Sequence, residues 1–187
     1  MMRIAILISG SGSNMISLCN SMLSENFASP VLVLSDRKAA KGLSAARELG
    51  IKTRCIEYSN FYDDHGSFEK SLLKELLSVK PDLICLAGFL RVLSKSFINS
   101  FPKKIINIHP SLLPKYKGLN THSRAILSGD CEAGCTVHEV TPELDGGPIL
   151  GQVSVPVLFN ETADTLSKKV LKLEHLLYPI ILRRLVS

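Results

Sequence analysis

Hydrophobic and polar positions in the first half of the chain alternate between short apolar runs and amphipathic stretches. The runs at residues 3–9, 31–35 and 53–57 predict strands, and helices are predicted between them, one from about Ser13 and one ending near Gly50. Strands that alternate with helices are typical of a parallel sheet flanked by helices. The pattern therefore predicts an α/β fold with a Rossmann-like arrangement.

The middle of the chain continues this alternation. Four apolar residues between positions 67 and 79 recur at helical spacing, and Pro81 prevents that helix from continuing. The next run, residues 83–87, is apolar at every position. Because a strand with two apolar faces is covered on both sides, this run predicts a central strand of the sheet.

The pattern changes after about Gly134. Strand-like segments at residues 135–140 and 149–157 follow each other closely, joined by a turn-rich stretch, so we expect mixed strand direction in this part of the sheet. The last apolar stripe has helical spacing, with Thr162 as a candidate N-cap, and Pro179 predicts a kink or a restart of that helix. A single domain is expected to cover residues 1–187.

Composition narrows the class of protein. With 187 residues and 45% hydrophobic content, the chain can bury one sizeable core, and its apolar runs are all far shorter than the roughly 20 residues that span a bilayer. The formal net charge of +5 is spread along the chain, which does not favour nucleic-acid binding. Five scattered cysteines, an odd number, favour reduced thiols. We expect a cytoplasmic protein without a membrane segment.

A glycine-rich loop follows the first predicted strand. The stretch Gly10-Ser11-Gly12-Ser13-Asn14 precedes a predicted helix, and such a loop presents backbone N–H groups to an anion at the positive end of the helix dipole. It predicts a phosphate site. A dinucleotide site is the alternative, since Asp36 ends the second strand, but Met15 stands where the third glycine of that fingerprint belongs.

Asn107, His109 and Asp145 are the candidates for chemistry. Strand alternation sends Asn107 and His109 to one face, and Pro110 places both near the carboxyl end of the strand, where open α/β sheets build their binding crevices. Asp145 lies in an acidic loop with two glycines. A carboxylate beside the imidazole would favour its charged form, which can stabilise an oxyanion.

These motifs together resemble one family over nearly the whole chain. The glycine-rich loop, Leu86-Ala87-Gly88-Phe89-Leu90-Arg91, Asn107-Ile108-His109-Pro110-Ser111-Leu112-Leu113-Pro114 and Leu144-Asp145-Gly146-Gly147-Pro148 occur in the order seen in the phosphoribosylglycinamide formyltransferase family. The resemblance implies transfer of a formyl group from 10-formyltetrahydrofolate to the amine of glycinamide ribonucleotide in purine biosynthesis. It implies no metal, and we expect a monomer or homodimer that acts on small molecules.

The resemblance also implies roles for individual residues. Asn107, His109 and Asp145 would be catalytic, Gly12, Ser13 and Asn14 would hold the substrate phosphate, and Glu174 would contact the ribose hydroxyls. The residues implied for folate binding are His65, Leu90, Arg91, Val92, Leu93, Asn107, Thr141, Pro142, Glu143, Leu144 and Asp145. His65 stands where many members of the family carry an arginine near the folate tail.

The sequence leaves three other hypotheses to weigh. A formyltetrahydrofolate hydrolase would share the Asn-His-Asp chemistry with water as the acceptor, although the phosphate loop argues against it. A dinucleotide-binding module would use the glycine-rich loop and Asp36. A metal site built on Cys131, Cys135 and His138 lacks a fourth partner nearby, so a buried thiol and a structural histidine are favoured.

Overall fold

The computed structural model describes residues 1–62 and 64–186. Seven strands form in the order β1 (Met2–Ile8), β2 (Ala28–Ser35), β3 (Thr53–Cys55), β4 (Leu83–Leu86), β5 (Lys104–His109), β6 (Glu132–Glu139) and β7 (Ile149–Pro156). The helices are α1 (Ser13–Glu25), α2 (Lys41–Glu48), α3 (His65–Ser78), α4 (Lys95–Ser100), α5 (Thr121–Leu127) and α6 (Ala163–Val186), with a short 3-10 helix at Tyr58–Phe61.

The strands form one sheet in the order β3-β2-β1-β4-β5-β6-β7. Strands β1 to β5 pair in parallel, whereas β6 runs antiparallel to both β5 and β7. The predicted α/β fold with a mostly parallel sheet and a mixed C-terminal part is therefore confirmed. The chain crosses to one side of β1 for β2 and β3 and to the other for β4, which makes the carboxyl ends of β1 and β4 the expected binding crevice.

Two apolar layers cover the sheet. Ile4, Ile6 and Ile8 of β1 face a core formed with α1, α2, α5 and α6, while Ala5 and Leu7 face a second core formed with α3 and α4. This alternation follows from the two-residue period of a strand. Because both faces of β1 are buried, its carboxyl end and the loop after it have a fixed position in the middle of the sheet.

Several predicted boundaries move by a few residues. Strand β3 ends at Cys55 instead of residue 57, and α3 begins at His65, where the Asp64 side chain caps it by accepting from the Ser67 N–H at 2.9 Å. The predicted N-cap of α6 is confirmed, since the Thr165 N–H donates to Thr162 Oγ1 at 3.2 Å. Neither α6 nor any other helix of the described chain is long and apolar enough to cross a membrane.

Helix α6 continues through Pro179, so the predicted restart does not occur. Proline lacks the N–H that would bond the carbonyl of His175, four residues earlier. That carbonyl instead accepts a hydrogen bond of 2.6 Å from the Ser17 hydroxyl of α1. The serine replaces the missing donor, which explains why the helix tolerates an interior proline and how α1 is fixed against α6.

The hydrogen bond from Ser17 to the His175 carbonyl is partly buried, so we predict that Ser17→Ala lowers the free energy of unfolding by about 0.5–1.5 kcal/mol, the usual net contribution of one hydrogen bond. In the Pro179→Ala background, the helix regains an N–H for the His175 carbonyl, so the same Ser17→Ala change should cost clearly less. Urea unfolding of the four proteins in this cycle measures both costs. Equal costs in the two backgrounds would show that Ser17 does not serve the carbonyl freed by Pro179.

Candidate active site

The glycine-rich loop connects β1 to α1 at the centre of the sheet. Gly12 has a left-handed backbone conformation (φ 78°), and a Cβ there would lie 2.7 Å from the Cα of Gly42 on α2. Only glycine meets both conditions. Among residues 1–62 and 64–186, no side chain forms a capping hydrogen bond at the start of α1. The first N–H groups of the helix therefore stay available to a ligand, and the phosphate site stays a prediction.

Asn14 and Glu174 form a buried pair beside this loop. The Asn14 amide donates a hydrogen bond of 2.6 Å from Nδ2 to Glu174 Oε2, and it brings α1 and α6 together. Glu174 is only 7% exposed, and burial raises the pKa of its carboxyl, although the bond from Asn14 counteracts this. The Asn14 Oδ1 atom is buried and has no hydrogen-bond partner among the described residues. The pair thus combines a buried acid with an unused acceptor.

His109 and Asp145 meet although 36 residues separate them. The Asp145 Oδ2 atom lies 3.5 Å from His109 Nδ1, and it accepts a hydrogen bond of 2.8 Å from the Gly118 N–H. On the other side of the ring, His109 Nε2 lies 3.0 Å from the carbonyl oxygen of Tyr116. Both ring nitrogens therefore face acceptors, and only an imidazole protonated on both nitrogens can donate to each.

His138 completes this cluster and was not assigned to it from the sequence. In the antiparallel pairing of β5 with β6 it stands directly opposite Asn107. Its Nε2 lies 3.2 Å from Asn107 Nδ2 and 3.6 Å from Asp145 Oδ1, while its Nδ1 lies 2.8 Å from the Glu139 carbonyl oxygen. The buried imidazole thus contacts two of the three predicted catalytic side chains. Only the strand register could have shown this.

The electrostatic environment of Asp145 favours its charged form. Burial alone would raise the pKa of the Asp145 carboxyl, but the His138 side chain, the Gly118 amide and the charge of His109 together outweigh it. The net result is a pKa below the usual value. Asp145 is therefore an ionised carboxylate at neutral pH, in contact with two imidazoles.

These groups open into one cavity of about 760 Å³ at the carboxyl end of the sheet. Asn107, His109, Asp145, Asn14 and Glu174 all line it. The predicted folate-binding residues that line it are Leu90, Arg91, Val92, Leu93, Thr141, Pro142, Glu143 and Leu144. Gly12, Ser13 and His65 are not part of its lining: the first two belong to the adjoining loop, and His65 lies behind Val92.

Comparison with known proteins identifies the family. The model of the family described as formyl transferase matches residues 2–182. The chain belongs to the formyl transferase family. It is 41% identical over 182 residues to the phosphoribosylglycinamide formyltransferase of Escherichia coli (strain K12), an alignment that covers 97% of this chain and 85% of that protein.

Two further relatives agree with this assignment. The crystal structure of phosphoribosylglycinamide formyltransferase from Brucella melitensis is 46% identical, with a TM-score of 0.93 and coverage of 100% of this chain and 96% of that chain. The trifunctional purine biosynthetic protein adenosine-3 of Gallus gallus is 41% identical over 186 residues, which span 99% of this chain but only 18% of that protein.

Asp36 has a different role in this formyl transferase from the one that a dinucleotide site requires. Its side chain is fully buried, and its Oδ2 accepts a hydrogen bond of 2.8 Å from Arg91 Nε. The Arg91 guanidinium also lies over the Tyr58 ring, 4.0 Å from its centroid. Since the buried Asp36 side chain is not open to a ribose in this structure, its contact is with Arg91, which it holds at the cavity.

The proposed ligand set Cys131, Cys135 and His138 does not form a cluster. Cys135 lies in the core, where burial raises the pKa of its thiol to about 12, whereas Cys131 is exposed. Across residues 1–62 and 64–186, no three His, Cys, Asp or Glu side chains are arranged to hold a metal ion. His138 instead contacts Asn107 and Asp145.

We predict that Glu174→Gln stabilises the protein at neutral pH. Because the pKa of Glu174 is raised in the folded state, the native protein binds the proton more tightly than the unfolded chain. The resulting penalty is absent below the unfolded pKa of about 4.3 and is complete above the folded pKa. The neutral variant avoids the penalty and should melt at a higher temperature than the wild type at pH 7.

The melting temperatures are compared from pH 4 to pH 8, with Glu48→Gln on the exposed side of α2 as the matched control. The advantage of Glu174→Gln should grow as the pH rises through this window, and the control should show no such trend. An advantage that is constant with pH, or none at all, would contradict the assignment of a buried charge to Glu174.

Proposed function

We propose that this formyl transferase moves the formyl group of 10-formyltetrahydrofolate to the amine of N1-(5-phospho-D-ribosyl)glycinamide, a step of purine biosynthesis. The observation that carries the proposal is the convergence of Asn107, His109 and Asp145 in a cavity that also contains the Asn14–Glu174 pair beside an anion-binding loop. Relatives that carry the name of this activity support the choice of acceptor.

The acceptor would bind at the start of α1. The N–H groups of residues 12–14 lie at the positive end of the helix dipole, where no side chain of the described residues caps the helix, and they suit a phosphate monoester. Glu174 would accept hydrogen bonds from the ribose hydroxyls. Asn14 orients this carboxylate, and its unpaired Oδ1 offers a second acceptor. An acceptor-rich site next to a phosphate site matches a sugar phosphate better than a simple phosphate ion.

The folate would occupy the apolar side of the cavity. Leu90, Val92, Leu93 and Leu144 supply apolar surface suited to a fused ring system, and the loop at residues 141–145 forms the opposite wall next to Asn107. Arg91 lines the same cavity, and only its Nε is bonded to Asp36. Its outer nitrogens are therefore suited to the carboxylate of the glutamate tail.

Transfer would proceed by direct attack of the amine on the formyl carbon. The new carbon–nitrogen bond forms as the formyl oxygen takes the negative charge, and the bond from carbon to the folate nitrogen then breaks. The amine loses one proton and the folate nitrogen gains one, with a water near Asp145 as the carrier. No covalent enzyme intermediate is needed, and positioning of the two substrates supplies part of the acceleration.

Asn107 and His109 would stabilise the oxyanion. One N–H of the Asn107 amide faces His138, which leaves the second N–H for the formyl oxygen. His109 must use its Nε2, which lies 3.0 Å from the Tyr116 carbonyl. The proposal therefore requires the formyl oxygen to replace that carbonyl as the partner of Nε2, while Asp145 keeps the charged ring in place.

Compartment and assembly remain part of the proposal. The five cysteines all lie in the described part of the chain and are free thiols, which supports a reducing compartment such as the cytoplasm. One domain, residues 1–187, would carry the whole reaction. The expectations of a monomer or homodimer, of small-molecule substrates only and of no metal stay predictions.

The function is tested by mixing the purified protein with 10-formyltetrahydrofolate and glycinamide ribonucleotide and following the deformylated folate by absorbance. We expect turnover only when both substrates are present, since the amine is the nucleophile. Chelator treatment should leave the rate unchanged. Formate release without the acceptor would instead identify a hydrolase, and no reaction with both substrates would reject the proposal.

We predict that His109→Ala or Asp145→Asn lowers kcat at least about a hundredfold, as expected for lost oxyanion and proton-transfer terms. Asparagine is chosen at position 145 because the backbone there has φ 47°, which asparagine tolerates and alanine does not favour. The control is Asp164→Asn, since that carboxylate is 71% exposed.

Circular dichroism and the melting temperature establish that each variant is folded. The control should keep its normal kcat. A folded Asp145→Asn or His109→Ala protein with kcat within a factor of about three of the wild type would remove these side chains from the mechanism.

A further inference from the structure

The segment between β4 and α4 forms one wall of the cavity and contains no helix or strand. Side chains on the far side of this wall hold it in place. At its start, the Leu90 N–H donates to the Ser9 hydroxyl at 2.9 Å, and the Arg91 side chain is bonded to Asp36. The N–H groups of Val92 and Leu93 make no hydrogen bond within the described part of the chain. A segment that offers free backbone donors to a ligand needs other contacts to fix its position.

Glu69 of α3 supplies such a contact at the end of the wall. Its Oε1 accepts a hydrogen bond of 2.6 Å from the Ser94 N–H, and its Oε2 accepts from the Ser94 hydroxyl. Glu69 is only 5% exposed and lies beside the core residues Phe68 and Leu72. A carboxylate buried next to an apolar core is costly unless donors surround it, so its position indicates a specific role.

His65, one turn earlier on α3, contacts the same wall. Its Nε2 lies 3.1 Å from the Val92 carbonyl oxygen and 3.2 Å from Glu69 Oε1. Both neighbours are acceptors, so Nε2 must carry a hydrogen and share it between them. This nitrogen is therefore engaged with the protein backbone, whereas the sequence resemblance implied that His65 contacts the folate tail.

We propose that Glu69 and His65 are positioning residues that fix the backbone of Val92, Leu93 and Ser94 for folate binding. The inference rests on the proposed function, because it assigns the wall to the folate. Neither side chain lines the cavity itself. They act through the backbone, because they hold the Val92 and Leu93 N–H groups in a fixed orientation towards the folate ring. Less conformational entropy is then lost when the folate binds.

A purely structural role for Glu69 makes a different prediction. Ser94 caps α4, since its hydroxyl accepts from the Phe97 N–H at 3.1 Å, and Glu69 could serve only to hold that cap. Loss of the cap would lower stability without distinguishing one substrate from the other. Loss of positioning would weaken folate binding and leave the distant acceptor site at Asn14 and Glu174 unaffected.

The test compares Glu69→Gln with Glu75→Gln, a partly exposed glutamate of the same helix that pairs with Arg54. For Glu69→Gln we expect KM for 10-formyltetrahydrofolate to rise about tenfold or more, with KM for glycinamide ribonucleotide changed less than about twofold. The control should change neither constant. An equal change in both KM values, or in neither, would overturn the proposal.

His65 provides a second pair of variants at a more exposed position. Glutamine can still donate to the Val92 carbonyl, whereas leucine cannot. We expect His65→Leu to raise the folate KM by about threefold to tenfold and His65→Gln to restore most of the loss. If His65→Leu and His65→Gln have the same folate KM, His65 has no positioning role. This comparison also tests the proposal if Glu69→Gln fails to fold.

Calorimetry with tetrahydrofolate alone separates this inference from the proposed function. If the wild type binds tetrahydrofolate and Glu69→Gln binds it about tenfold more weakly, the positioning role holds whatever the acceptor is. If the wild type transfers formyl groups but binding by Glu69→Gln is normal, the positioning role fails and the proposed function stands.

Discussion

The ion cluster around Asp145 is the interaction on which the candidate site depends. One buried carboxylate contacts the imidazoles of His109 and His138 and the Gly118 amide, and so joins β5, β6 and two loops. A buried charge is stable only with such partners. The same contacts that lower the pKa of Asp145 also hold the imidazoles of His109 and His138 in place at the cavity, so the stability of the cluster and its geometry have a common cause.

The junction of α1 with α6, at the other end of the cavity, is also held by hydrogen bonds between polar groups. The Ser17 hydroxyl satisfies the carbonyl freed by Pro179, and the Asn14 amide holds the Glu174 carboxylate. These contacts fix the C-terminal helix against α1, which begins directly after the glycine-rich loop. Burial nevertheless raises the pKa of Glu174, so the position of this carboxylate lowers stability at neutral pH.

The side of the cavity that we propose for folate depends on contacts behind its surface. Asp36 and Tyr58 hold Arg91, and Glu69 with His65 holds the backbone that follows. None of these four supporting residues lines the cavity. An irregular wall presents a defined surface only if its backbone is fixed, and polar side chains that follow β2 or lie on α3 contribute to that constraint here.

Local pattern in the sequence determined the strand and helix order, the glycine-rich loop, and the side chains of Asn107 and His109 on one strand face. These features depend on neighbouring residues, whose periodicity and backbone freedom are readable directly. Asp145 is a candidate from the sequence only in combination with His109, and Glu174 is assigned only through the family resemblance. Four contacts were decided by the tertiary structure alone. His138 stands opposite Asn107, and Asp36 is buried against Arg91. His65 contacts the Val92 carbonyl, and Ser17 donates to the carbonyl that Pro179 leaves without a helical partner. Each of these contacts depends on strand register or helix packing between segments far apart in the chain, which no local pattern specifies.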